Sequence, residues 1–472
     1  MKISGELKYF PKSIANKAIF VYFLLLILLA VIFPSYMITL EGCLFGLFFV
    51  IFFFVLSSNL TFKWSNLDEK IFVKKVFWLA LILRLIWVVF SYYYFIWMTG
   101  KPFMYGAADA IGYDGEARWI NALYNADMMH VYFLDYLKGG YSDAGFPLYI
   151  SFFYYFSDSS IILIRIVNAL LGAWSVILVY KLSIRNFGEK TAKIAAIITA
   201  VMPILIFYCG LHLKEVIMTF LLVFFIERAD YFLYAKAPKN LLTFVFTVVL
   251  GFALFCFRTV LAAVAFLSFF INTVFSSNSK IKNSKKVIFI ILIIFVGLYF
   301  LKTKFKNEVG QYYSDKGTNL QKKMVSYSRG NKLAKYGKAS VFMPVILIAP
   351  FPTIVDVGQK KLQIVSGALY IRNILAFFTL LGIIYIFKRK ILRNHLLILG
   401  ILCGYLIVLA NSGFALSERF HYPIIPFIII LAAFGITKFR SAHRKYFSLY
   451  LCFIFLLIVG WNVFKLGGRG LI

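Results

Sequence analysis

SIILIRIVNALLGAWSVILVYKLSIRNFGEKTAKIAAIITAVMPILIFYCGLHLKE, residues 160–215, holds two apolar runs separated by one short basic turn. The runs, 160–181 and 192–209, are close to the roughly 17–25 residues that an α-helix needs to cross about 30 Å of hydrocarbon. No water reaches the backbone in lipid, so such a run satisfies its own N–H and C=O groups as a helix. Arg185 and Lys190 place the intervening turn on the cytoplasmic side. The chain therefore leaves the second run, at Lys214 and Glu215, on the opposite side.

The same pattern repeats outward in both directions. Apolar runs predict crossings near 18–36, 41–58, 76–97, 160–181, 192–209, 214–231, 241–257, 260–276, 287–301, 366–387, 395–411, 422–437 and 446–464, about thirteen by length. The fold class this predicts is all-α, a polytopic membrane helix bundle with amphipathic helices in the first outer loop and a long basic outer loop. Composition agrees: the chain is 62% hydrophobic and 15% charged, with a mean hydropathy of +0.85, whereas soluble domains are typically about 25% charged. Basic residues fill every second connection, among them Lys8 and Lys17, Lys74 and Lys75, Lys285 and Lys286, Lys388 and Arg389, and Arg444 and Lys445, which puts the N-terminus in the cytoplasm. The first run is too long for a signal-peptide core and lacks a small-residue cleavage site, so it reads as a retained anchor. Three regions follow: 1–75 with two N-terminal helices, 76–275 as a central module containing the outer loop 98–159, and 276–472 with the basic loop 302–365 and the loop 411–421.

Topology accounts for much of the net charge of +31, which argues against a nucleic-acid partner. The five cysteines are odd in number and sit in or beside apolar runs without CxxC or zinc spacing. They read as small core residues. No cofactor is demanded by any motif; a divalent metal is left open, because the outer acids supply oxygen ligands without a fixed spacing.

The outer face departs from this background at four places. Seven of the 19 acidic residues fall in loop 98–159, at Asp109, Asp114, Glu116, Asp127, Asp135, Asp143 and Asp158. The last four fit the outward bias of acids that the positive-inside rule leaves. On a helix, Asp109, Tyr113 and Glu116 share one face while Asp114 points roughly 140° away, toward the loop or solvent. A carboxylate on the first face, laid against an apolar bundle, has its position and acidity set by burial. In LHLKEVIMTF (211–220), Lys214 and Glu215 lie at the edge of hydrocarbon, where an ionisable residue is functional by default; a snorkelling Lys and a Glu favouring its helix N-terminus is the equal alternative. The segment 302–338 is basic although it falls outside, which implies an anionic partner such as lipid headgroups or a phosphorylated substrate. Finally, Glu418, Arg419 and His421 occupy a short loop closed by Pro423, and Arg grips phosphate in a fork that Lys cannot form. An ordinary Glu418–Arg419 surface loop is the other reading.

The order D109-x-x-x-Y113-x-x-x-A117, then residues 145–188, then AAIITAVMPILIFYCGLHLKE (195–215) resembles the N-terminal module of GT-C fold membrane glycosyltransferases. That superfamily includes protein O-mannosyltransferases and the lipid A aminoarabinose transferases. The resemblance covers 76–275; SERFHYPIIPFIIILAAFGIT (417–437) is similar to a loop and helix near the end of such enzymes, and IAPFPTI (348–354) to a proline motif in polysaccharide-locus members. The chain departs from the family by two extra N-terminal crossings, and by LKE where many relatives carry an Asp-containing motif.

The resemblance implies a hexosyl or pentosyl transferase, usually inverting. Its donor is a polyprenyl-phosphate or diphosphate sugar, its acceptor a glycan, lipid or protein on the outer face of the bacterial cytoplasmic membrane. Asp109 maps onto the general base, which must reach the acceptor hydroxyl; Asp114, Glu116 and Glu215 are the further catalytic candidates. Arg258, Arg419, Lys214 and His421 are candidates to hold the phosphate that leaves, with Tyr113 and Glu418 as further substrate contacts. An O-antigen-type polymerase, which also carries a basic outer loop, and a transporter or flippase of lipid-linked sugars are the competing classes. No internal repeat of the transporter kind is found.

Overall fold

The computed structural model describes residues 7–136, 144–234, 241–276, 343–358, 360–412 and 415–468. The expected crossing at 287–301, the basic segment 302–338 and Asp143 lie outside them. Helices make up most of the described residues, and the one β-type pairing among them is an isolated bridge between Met37 and Val355.

The helices are α1 (Lys12–Ile32), α2 (Leu40–Lys63), α3 (Glu69–Thr99), α4 (Ala108–Asn125), α5 (Gly145–Ser157), α6 (Ile161–Phe187), α7 (Glu189–Val201), α8 (Pro203–Phe207), α9 (Glu215–Tyr234), α10 (Leu241–Phe257), α11 (Thr259–Phe275), α12 (Lys360–Lys388), α13 (Leu396–Ala410), α14 (Ile425–Thr437) and α15 (His443–Gly467). Among the described residues six helical segments are long and apolar enough to cross a membrane, or seven if α7 and α8 form one bent span; α10, α11 and α13 are shorter apolar helices. These mark a multi-pass membrane protein. The expected count near thirteen is not reached among the described residues: three of the runs fold as the shorter helices α10, α11 and α13, α3 and α9 are not among the six, and 287–301 lies outside the described residues.

Local chemistry sets the breaks. Thr39 caps α2 by accepting from the Gly42 amide, while Glu41 and Lys63 complement the two ends of its dipole. Gly188, at φ +83°, takes the left-handed turn that reverses the chain from α6 into α7. Pro203 lacks an N–H and splits the next run, so α7 and α8 meet at 50°. The carbonyls this break frees are claimed by Arg84 of α3, which donates to Thr199 O at 3.2 Å and Ala200 O at 3.1 Å. Trp87 donates likewise to Phe207 O at the end of α8.

Beyond the break, residues 208–214 run through the bundle interior as a short 3-10 turn and loop before α9 begins. The bundle closes around α7 and α14, whose residues are buried along nearly their whole length. α12 packs along α14 so closely that a Cβ on Gly435 would fall on the Phe378 carbonyl oxygen, the close backbone approach that small residues permit between membrane helices. The proline motif 348–354 is a buried strap. Asn373 donates to Ile348 O and Pro350 O, and Asn462 receives the amides of Ile354 and Val355. Its prolines remove donors that a buried extended segment would otherwise have to satisfy.

Candidate active site

α4 and α5 pack on each other beside the main bundle, and the first turn of α4 carries Asp109 toward Arg419. Arg419 Nη1 donates to Asp109 Oδ2, and Arg419 Nε donates to Glu215 Oε1. One guanidinium therefore joins three segments that are remote in sequence: the first turn of α4, the start of α9, and the short helical turn Glu418–His421. Glu215 is fully buried, whereas the Asp109 side chain is 59% exposed. Oδ1 of Asp109 takes no hydrogen bond among the described residues. Glu215 Oε2 is buried without a hydrogen-bond partner.

Cations back this bridge. Lys214, in the buried loop before α9, donates from Nζ to Phe257 O at 3.1 Å. Burial, and then the neighbouring Arg258 charge, push Lys214 down to about 7, with Glu215 acting in the opposite direction. Arg258 joins α10 to α11, and its guanidinium lies over the Phe420 ring at 4.5 Å from the centroid. Tyr113, one turn along α4 from Asp109, packs edge-on against Phe146 and is held up at about 12 by burial. A cavity of about 120 Å³ opens beside the bridge, lined on one side by Gly106, Ala107, Asp109 and Ala110, and on the other by Arg165, His212 and Arg419.

The fold thus brings Asp109, Tyr113, Lys214, Glu215, Arg258 and Arg419, all named from the sequence, to one place. Two expectations are corrected. Asp114 does not look into the loop or solvent: its side chain is 14% exposed, Tyr154 of α5 donates to its Oδ1 at 2.5 Å, and Arg118 pairs with its Oδ2 at 3.0 Å. Helical periodicity turns Asp114 away from the Asp109 face, and α5 covers the side to which it turns. His421 does not join the cations either. Its Nε2–H donates to Ala415 O at 2.7 Å, and its Nδ1 accepts from Arg372 of α12 at 2.8 Å, so both ring nitrogens are used on the far side of the turn. Glu418 is buried near Tyr208, and Glu116 is half-buried on α4; Arg419 pairs with neither. Among the described residues no group of three or more His, Cys, Asp or Glu side chains gathers as a metal site.

Three residues at or near this site were passed over in the sequence: Arg165, His212 and Tyr154. Arg165 is the informative one, an arginine in the apolar run IILIRIV, where an ionisable group marks function by default. Arg84 and Arg372 carried the same signal and serve other places. Neither a protein-family model nor a curated protein matches the chain.

Proposed function

We propose that the chain is a GT-C fold membrane glycosyltransferase that moves a hexosyl or pentosyl group from a polyprenyl-phosphate carrier to an envelope glycan, lipid or protein. It acts on the outer face of the bacterial cytoplasmic membrane, in a topology of about thirteen crossings. The observation that carries this reading is the Asp109–Arg419–Glu215 bridge: an accessible carboxylate at the start of α4, held by an arginine whose other side is anchored on a buried glutamate.

In the proposed reaction an acceptor hydroxyl gives its proton to Asp109 Oδ1, and its oxygen attacks the anomeric carbon from the face opposite the phosphate. The bond between the anomeric carbon and the phosphate oxygen breaks, and the electron pair leaves on the phosphate. Arg419 orients Asp109 through Oδ2, and Lys214 and Arg258 supply fixed positive charge where the phosphate develops its own. Binding a phosphate lets Arg419 exchange one carboxylate for it, which releases Asp109 as a stronger base.

One observation favours a second reading. The bent pair α7–α8 and the buried loop behind it have the form of a broken membrane helix, which transporters place at their binding sites. Mass spectrometry of envelope glycans and lipid-linked intermediates, with and without the gene, separates the readings. A finished glycan lacking a single sugar supports the transferase. Unpolymerised repeat units support a polymerase, and intermediates accumulating on the cytoplasmic leaflet support a transporter.

A further inference from the structure

The cations at the bridge are not equivalent. Arg419 is already matched by two carboxylates. Arg165, on the first turns of α6, is 1% exposed and has no carboxylate within ion-pairing distance among the described residues. One of its N–H groups, on Nη2, donates to Pro102 O; Nε and Nη1 are buried without a hydrogen-bond partner. The rings of Tyr92 and Phe95 lie at 5.8 and 6.0 Å from the guanidinium, and Tyr154 and His212 are also close enough to feel its charge. Aromatic faces attract a cation but do not neutralise it. A buried charge with no counter-ion is costly, and the cost is recovered only when an anion arrives.

The same Arg165 lines the cavity beside the bridge, and so does the first turn of α4. That turn has Ala107 at its N-cap and no capping side chain. Its amides therefore lack the side-chain acceptor that Ser, Thr or Asp would supply, and a helix N-terminus in this state favours a negatively charged ligand. Asp109 also lines the cavity and opposes an anion there, but its charge is matched by Arg419. His212 completes the wall; burial, and then the Arg165 charge, hold it down at about 3, so it stays neutral and adds no repulsion to the guanidinium.

We propose that this cavity is an oxyanion-binding subsite in which Arg165 is the primary contact, with the first turn of α4 and Arg419 closing around the ligand. This deepens the transferase reading and rests on it for the identity of the anion, which is either the phosphate of the carrier lipid or the carboxylate of an acidic sugar. A phosphate and a carboxylate present the same pair of oxygens to a guanidinium fork.

The test is calorimetric titration of the purified full-length chain with farnesyl phosphate, with uncharged farnesol and with glucuronate, alongside a melting temperature for each variant. Wild-type protein is expected to bind one of the two anions, and to prefer farnesyl phosphate to farnesol at least tenfold if the phosphate is the ligand. Arg165→Gln is expected to weaken that anion at least tenfold and leave farnesol unchanged, with Arg165→Lys between the two. Ala107→Trp fills the cavity without touching the charge, and is expected to weaken the anion as well. Anion binding that persists at wild-type strength in a folded Arg165→Gln or Ala107→Trp protein overturns the subsite, as does a wild-type chain that binds neither anion. Anion binding lost in both variants, in a protein that transfers no sugar from any donor, supports the subsite and removes the transferase.

Discussion

Two buried charged clusters sit at opposite ends of the same two helices, and they are built in opposite ways. At the C-terminal ends of α6 and α9, Arg185 donates to Asp230 at 2.6 Å and to Glu227 at 2.8 Å, Asn186 donates to the other Asp230 oxygen, and Arg228 covers the other Glu227 oxygen. All four carboxylate oxygens are satisfied, and two arginines balance two acids. At the N-terminal ends, roughly 20–30 Å away by helix rise, Glu215 has a buried oxygen without a partner, Arg165 has two such nitrogens, and a cavity lies beside them. A saturated network makes its full contribution in the resting protein. An unsatisfied one keeps hydrogen-bonding capacity for something else. The first cluster reads as a clamp between helices, the second as a site.

That contrast breaks first if stability does not follow it. Arg185→Met leaves Glu227 to Arg228 but leaves Asp230 buried with only the Asn186 amide, and is expected to cost about 3–5 kcal/mol, read as a large fall in melting temperature and in yield of folded protein. A melting temperature near wild type would mean that the clamp is not holding the helices.

At the other cluster the larger effect is on function. Arg419→Lys keeps the charge but not the fork, and is expected to lower transition-state stabilisation by about 10- to 150-fold, the equivalent of one charged hydrogen bond of roughly 1.5–3 kcal/mol. Steady-state kinetics with a short-chain donor measure it. Wild-type turnover in this variant would remove Arg419 from the reaction.

Lys214 gives the contrast a pH signature. With its value in the folded protein near 7, against 10.5 when exposed, the unfolded chain binds one more proton between those limits, so ligand-free stability rises with pH across that window. Affinity for a phosphate at Lys214 and Arg258, where the proposed reaction puts the leaving group, runs the other way: it is full below about 7 and falls as pH rises above it, by up to tenfold per unit, because that contact needs the charged amine. Lys214→Met is expected to flatten both slopes, and titration in buffers of different ionisation enthalpy should show proton uptake on binding that the variant lacks. Identical pH profiles in the two proteins would remove Lys214 from the account.

The smallest effect separates the clusters most cleanly. Arg165→Met removes an uncompensated buried cation rather than one half of a pair, so its melting temperature is expected to equal or exceed that of wild type, in contrast to Arg185→Met. A drop as deep as the Arg185→Met drop would make Arg165 another structural arginine.

The helical character was legible because apolar runs are written directly into the sequence: every expected crossing that falls on described residues overlaps a helix or the bent pair, although only six or seven of these segments are long and apolar enough to span. What single runs do not encode is which helices are broken, since Pro203 tells of a bend but not that Arg84 will cap it. The candidate site was legible where a charged residue stood between apolar runs or at the end of one, as Asp109, Arg419 and Lys214 do. It was missed where the charge lay inside a run, as Arg165 does, because average hydropathy absorbs one arginine among isoleucines. Asp114 failed for a different reason. Helical periodicity gives the face of a side chain, but the element that covers that face belongs to tertiary packing.

The most direct test of the central claim compares Asp109→Asn with Asp114→Asn in the purified protein, following product formation from a polyprenyl-phosphate sugar together with melting temperature. Asp109 is exposed and holds one arginine, so Asp109→Asn is expected to leave the fold intact and lower turnover by roughly 10²–10⁴. Asp114 ties α4 to α5, so Asp114→Asn is expected to lower the melting temperature and reduce turnover only modestly. An active Asp109→Asn enzyme beside a folded but inactive Asp114→Asn enzyme would contradict the account and move the base to Asp114.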